Sequence, residues 1–227
     1  MRIGIVAAMR SEMELIIDRM ENVKEEAIAG YNFYIGNIND NEVVITESGV
    51  GKLNAGGAAL ILISYFGVEL VLNTGIAGGI GDTKKEDVII ASGLSWHDFD
   101  IRIFGYDYGQ VPQMPKVFYT NPEKVMLVKS ILNKLKIEYK EGIVVSGDQF
   151  ILDMKMLENV MYLKPLACEM EGCAIAQVCT KAGVDFIVLR YISDLVGHSD
   201  QESDYKTFEH EMSVRSSKIC ISLIENI

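Results

Sequence analysis

The 227-residue chain has no Cys-x-x-Cys pair, and none of its four cysteines (Cys168, Cys173, Cys179, Cys220) has a histidine at metal-ligand spacing. A metal site is therefore unsupported, and thiols among apolar neighbours are expected to be small buried groups in a reducing cytosol. Basic residues are outnumbered, 21 Lys and Arg against 32 Asp and Glu, for a formal net charge of -11. Such a surface repels phosphate backbones, so nucleic acid and anionic membranes are poor partners; a small neutral or cationic ligand fits better. No apolar run suits a bilayer, which needs about 20 unbroken residues; the longest, Ala55 to Ile80, is broken by Gly67 and Glu69. The opening MRIGIVAAMRSEME passes from a short apolar run straight into charge, unlike a signal peptide. No linker, low-complexity tract or repeat divides the chain. One cytoplasmic domain over residues 1–227 is expected.

Nucleotide loops are missing too. NTGIAGGIG (Asn73–Gly81) lacks the G-K-[ST] ending of a phosphate loop, and the first strand carries no G-x-G-x-x-G. ATP and NAD are unsupported, and no cofactor is expected.

What is present is a chain 49% apolar with strand-like runs at Arg2–Ala8, Tyr31–Ile38, Glu42–Glu47, Leu70–Asn73, Val88–Ala91, Gly142–Val145 and Phe186–Ile192. Helical segments alternate with them: Ser11–Met20, Lys52–Phe66, Pro122–Leu135, Glu171–Ala182 and a closing helix near Tyr205–Glu225. Several strands are apolar throughout, which implies burial on both faces. The pattern predicts a three-layer α/β/α sandwich around a central mixed β-sheet. Residues 31–47, pivoting on Asn39-Asp40-Asn41, read as an antiparallel hairpin within it.

In such sheets ligands gather beyond the carboxyl ends of the strands. That rule nominates Met9–Glu12, Ser48–Lys52 with Val50, Thr74–Gly79 with Ile76, Ala77 and Gly78, Ser146–Ile151 and Ser193–Asp194 as one shared pocket. Glu169–Glu171 joins if Ala167–Met170 is a short strand. Each residue also has a bland reading. The glycines suit a tight turn, and Glu12 is an ordinary acid in a first helical turn capped by Ser11. Glu171 complements a helix dipole, Phe150 fills a core, and Asp194 caps a turn. Against that last reading, a carboxylate ending the apolar strand DFIVLRYIS would meet low dielectric and hold its proton, unless Arg190 came close. The aromatic segment Ser95–Pro115 would leave too much apolar surface exposed on a monomer, so it docks on a partner subunit or closes a site. His97 within it reads as structural.

Taken together and in order, IGIVAAMRSEME, SGVGK, NTGIAGG, HDFDIRIFGYDYGQVP, EGIVVSGDQFI, CEMEGCAIAQVC and VLRYISD resemble the 5'-methylthioadenosine/S-adenosylhomocysteine nucleosidases of the nucleoside phosphorylase superfamily. The resemblance runs from Arg2 to the last helix. It implies that Glu12 activates the attacking water and Asp194, beside Ser193, protonates adenine N7. It implies that Met170 packs on the ribose and Glu171 engages its hydroxyls, with Arg190 near the ribose. It further implies that Phe150 stacks on the purine while the Ile151 backbone reads its edge, and that Tyr205 belongs to a lid. Ile101, Phe104 and Pro112 would be inserted by a neighbouring subunit against the 5' substituent, making the protein a homodimer that takes an adenine nucleoside without metal or cofactor. Ile76 stands where some members carry Ser, Tyr191 where a small residue is usual, and the Asp194–Tyr205 segment is one residue longer. These departures leave the 5' group open among methylthioadenosine, S-adenosylhomocysteine, 5'-deoxyadenosine and 6-amino-6-deoxyfutalosine. A phosphate-dependent phosphorylase is the rival within the superfamily; a silent nucleoside-binding protein is the rival outside catalysis.

Overall fold

The computed structural model describes residues 1–227. Ten strands form one mixed sheet: β1 (Arg2–Ala7), β2 (Glu21–Ile28), β3 (Tyr31–Ile38), β4 (Asn41–Glu47), β5 (Leu70–Gly79), β6 (Val88–Trp96), β7 (Phe118–Tyr119), β8 (Tyr139–Ser146), β9 (Ala167–Glu169) and β10 (Asp185–Leu195). Five helices cover it: α1 (Glu14–Arg19), α2 (Lys52–Ser64), α3 (Pro122–Lys134), α4 (Gly172–Ala182) and α5 (Gln201–Asn226). The expected three layers are present. One core packs α2 and α4 against the sheet through Ala55, Ala58, Leu62, Ile175 and Cys179. The opposite core packs α1, α3 and α5 through Ile16, Val128, Leu132, Ile219 and Leu223.

β1 shows why its run is apolar throughout: it lies parallel between β4 and β5, so both faces are covered. Beyond β5 the sheet curls shut. β5 pairs with β10, β10 with β6, β6 with β8, β8 with β9, and β9 with β5 again. This ring was not foreseen, because pairing order is not written in periodicity. At the other end the 31–47 hairpin is present, turning on Asn39 at φ 50°. Outside it lies β2, a strand the sequence did not announce. Its residues ENVKEEAI are mostly exposed, and an edge strand with one solvated face can be charged without cost.

Several boundaries differ from expectation: β6 runs on to Trp96, β8 spans Tyr139–Ser146 and α1 begins only at Glu14, and two more bear on the site. β5 continues through the glycine-rich segment to Gly79, because β10 and β9 supply hydrogen-bonding partners on both sides. α5 begins at Gln201 rather than near Tyr205. All four cysteines are free and buried, as expected. No helix is long and apolar enough to cross a membrane.

Candidate active site

The carboxyl ends of β1, β5, β8, β9 and β10 open into one cavity. β1 leads into a 3-10 turn at Arg10–Glu12, not into a helix capped by Ser11. The turn folds the chain back so that Glu12 Oε2 accepts hydrogen bonds from the N–H groups of Ala8 (2.8 Å) and Met9 (3.2 Å). Ser217 on α5 donates to the Glu12 carbonyl at 2.7 Å, pinning the turn from behind. Gly75 completes the seat, since a Cβ there would overlap Glu12 Oε1. Burial raises the Glu12 carboxyl to about 7, against the pull of the Arg190 charge and the backbone N–H groups.

β10 supplies the opposite acid through a register fault. Its pairing with β5 slips between Ile192 and Asp194. In a regular strand consecutive side chains face opposite sides, but the bulge lets both Ser193 and Asp194 line the cavity. Ser193 Oγ donates to Asp194 Oδ1 at 2.6 Å, and Gln201 Nε2 donates to Oδ2 at 2.9 Å. Burial still pushes the Asp194 pKa above its ordinary value, outweighing both donors.

The third acid enters from the start of α4. Glu171 Oε1 accepts from the N–H of Gly51 at 2.8 Å, and Gly51 holds φ 104°, a conformation that favours glycine. Burial, then the neighbouring Glu169 charge, raises Glu171 to about 7. Glu169 itself behaves oppositely. Burial would lift it, but the Arg190 charge, the Ser146 hydroxyl and the Gly172 N–H hold it below the usual carboxylate range. It also accepts from the N–H groups of Glu171 (3.0 Å) and Gly172 (2.7 Å), fixing the backbone that presents Met170 and Glu171.

The structure brings Glu12, Val50, Ile76, Ala77, Gly78, Phe150, Ile151, Met170, Glu171, Ser193, Asp194 and Tyr205 to this one cavity. Phe150 and Tyr205 meet edge to face at its rim, ring centroids 5.4 Å apart. Arg190 is a correction: its guanidinium is not at the wall. It lies behind, its two terminal nitrogens bonded to Glu169, to the Asn73 carbonyl and side chain and to the Leu189 carbonyl, because a buried cation is costly unless paired. Its charge reaches Glu12 and Glu171 without a hydrogen bond to either. Ile101, Phe104 and Pro112 lie outside the cavity, on a segment where Ile103 and Phe104 are 88% and 75% exposed. His97 is buried.

Cys168 and Gln201 also line the cavity, and the sequence reading missed both. A thiol in an apolar run carries no signal of its own. Gln201 lies in a polar stretch read as leading into a helix, with nothing to mark it.

Fold and site together define an α/β protein with one cavity lined by buried carboxyl groups and apolar side chains. The chain belongs to the Phosphorylase superfamily, whose family profile matches residues 2–225, and within it to the 5'-methylthioadenosine/S-adenosylhomocysteine nucleosidase family. A nucleosidase of that name from Staphylococcus aureus (strain MRSA252) is 36% identical over 228 residues, covering 99% of this chain and 100% of the relative. The S-adenosylhomocysteine nucleosidase of Streptococcus pyogenes, solved with 5-methylthiotubericidin, superposes with a TM-score of 0.94 at 33% identity, covering 100% of this chain and 97% of that one. A futalosine hydrolase mutant of Helicobacter pylori strain 26695 superposes with a TM-score of 0.94 at 31% identity, covering 100% and 99%.

Proposed function

We propose that this protein hydrolyses the N-glycosidic bond of 5'-modified adenosines, releasing adenine and the 5'-substituted ribose. The observation that carries the reading is the convergence of Glu12 and Asp194, 182 residues apart in the chain, on one cavity with their proton affinities raised by burial. Cleaving N9–C1' builds positive charge on the ribosyl carbon and electron density on adenine. Asp194 gives a proton to N7, and Glu12 takes one from water on the opposite face of the sugar, the arrangement of two carboxyl groups that inverts the anomeric carbon. Glu171 accepts hydrogen bonds from the ribose hydroxyls, Met170 packs on the ribose, Phe150 stacks on the base, and the Ile151 N–H and C=O read its edge.

Water rather than phosphate is the nucleophile on this reading. None of the 18 residues lining the cavity is Lys or Arg, and the nearest buried cation, Arg190, is committed to Glu169. Phosphate sites normally use several such side chains. Incubation with methylthioadenosine, with and without phosphate, tests this. Adenine and free 5-methylthioribose in both assays are expected; 5-methylthioribose 1-phosphate would mean phosphorolysis, and no adenine would mean a binding protein. The likeness to a futalosine hydrolase keeps 6-amino-6-deoxyfutalosine as the second substrate to assay.

The working unit is a homodimer. The exposed Ile103 and Phe104 need a cover, and a second copy would bring Ile101, Phe104 and Pro112 against the 5' substituent. Buried free thiols fit a cytoplasmic setting.

A further inference from the structure

Gln201, the first residue of α5, lines the cavity and is 3% exposed. Oε1 accepts from the Gly197 N–H at 3.0 Å. Nε2 spends one hydrogen on the Ile151 carbonyl at 2.8 Å and the other on Asp194 Oδ2 at 2.9 Å. The amide cannot be turned over. A backbone N–H only donates and a carbonyl only accepts, so the partners fix which atom is nitrogen.

Those two acceptors are the groups assigned to the purine above. Adenine with N7 protonated also presents two adjacent donors, the exocyclic amine and N7–H, one suited to a carbonyl and one to a carboxylate. The Gln201 amide therefore displays the donor pattern of the leaving group to the same two oxygens. Both oxygens of Asp194 are engaged, Oδ1 by Ser193 and Oδ2 by Gln201. Gly197 precedes Gln201 at φ 80°, the Gln201 N–H reaches the His198 carbonyl at 3.2 Å, and the N-cap Asp200 makes no side-chain capping bond.

We propose that Gln201 is a built-in stand-in for adenine: its amide holds the Ile151 carbonyl and Asp194 while the cavity is empty, leaves when the purine enters, and returns as adenine departs. Base binding is then an exchange of hydrogen bonds rather than a gain of them. Gln201 lowers affinity for the product and so speeds its release. Substrate specificity is touched as well, since a base lacking the amine cannot repay the carbonyl bond that Gln201 gives up.

The inference rests on the proposed adenine chemistry, and its test separates the two. Adenine binding is measured by calorimetry on the wild-type protein and on Gln201→Met, which keeps length and apolar volume but donates nothing. Gln201→Ala serves as the second variant, with circular dichroism confirming the fold of each. Tighter adenine binding in both variants, about tenfold, with matching stronger product inhibition, is the expected result. Equal or weaker binding in the variants overturns the stand-in role and makes Gln201 a positioning residue for Asp194. Failure of the wild-type protein to bind adenine removes the function beneath the inference instead. A crystal structure with adenine gives an independent reading: an amide still on Asp194 Oδ2 beside the bound base contradicts the exchange, and an amide moved off it agrees.

Discussion

Arg190 and Glu169 form an ion pair at 2.5 Å with both side chains 2% exposed; Glu169 reaches the cavity wall, and Arg190 stands behind it. Glu169 in turn holds the N–H groups of Glu171 and Gly172, so one buried cation steadies the carboxylate that orders a whole wall of the site. Removing one partner of such a pair strands the other charge, at a cost of about 3–5 kcal/mol. Arg190→Met is expected to lose stability of that order in chemical denaturation. Because the Arg190 charge favours the ionised form of Glu12, the variant should also shift the acid limb of its kcat/KM profile to higher pH. Full stability with an unmoved limb would show the pair to be idle.

Glu12→Gln and Asp194→Asn each remove one proton transfer while keeping shape. Turnover should fall by about 10²–10⁴ in each, with far-ultraviolet circular dichroism unchanged. Adenine release near the wild-type rate from either variant would refute the assigned role.

The pH dependence follows from the directions of the shifts. Glu12 must be ionised to accept a proton, so the rate falls as pH drops through about 7, where burial places it. Asp194 must carry a proton to donate one, so the rate falls again on the alkaline side, displaced upward by burial. A bell-shaped kcat/KM profile is expected, and Asp194→Asn should lack the alkaline limb. A flat profile across neutral pH would contradict both assignments.

Gly75→Ala places a methyl group 2.4 Å from Glu12 Oε1, well inside contact distance. The carboxylate must leave its backbone donors, and activity should drop at least as far as in Glu12→Gln. Retained activity, measured as initial rates of adenine release, would mean that the seat at Gly75 is not needed.

Phe104→Ala tests the second copy. A rise in KM with the dimer intact by sizing chromatography is the expected outcome, since the side chain lies outside its own subunit's cavity. Unaltered kinetics would detach this segment from the site.

Much of this was legible from residue order alone, for identifiable reasons. Apolar runs such as those in β1 and β4 must be buried on both faces, and the polar residues ending them must sit at one end of the sheet. That logic reached Glu12, Ile151, Glu171 and Asp194. It missed β2, whose charges suit an edge, and the extension of β5, where neighbouring strands override the poor strand propensity of glycine. It misplaced Arg190, because the choice between wall and back of a pocket depends on a partner 21 residues away. The bulge at Ser193 and the bond from Gln201 to Ile151 are products of packing, with no local signature.

The strands that lead to Asp194 and Glu171 belong to a circuit that closes on itself, which leaves that part of the sheet no end from which to unzip. Opening any one of them means breaking ladders on two sides at once. Slow amide exchange should therefore follow the circuit β5-β10-β6-β8-β9 and fade toward β2, the unpaired margin. Fusions and inserted loops belong at that margin, remote from chemistry that tolerates little slack.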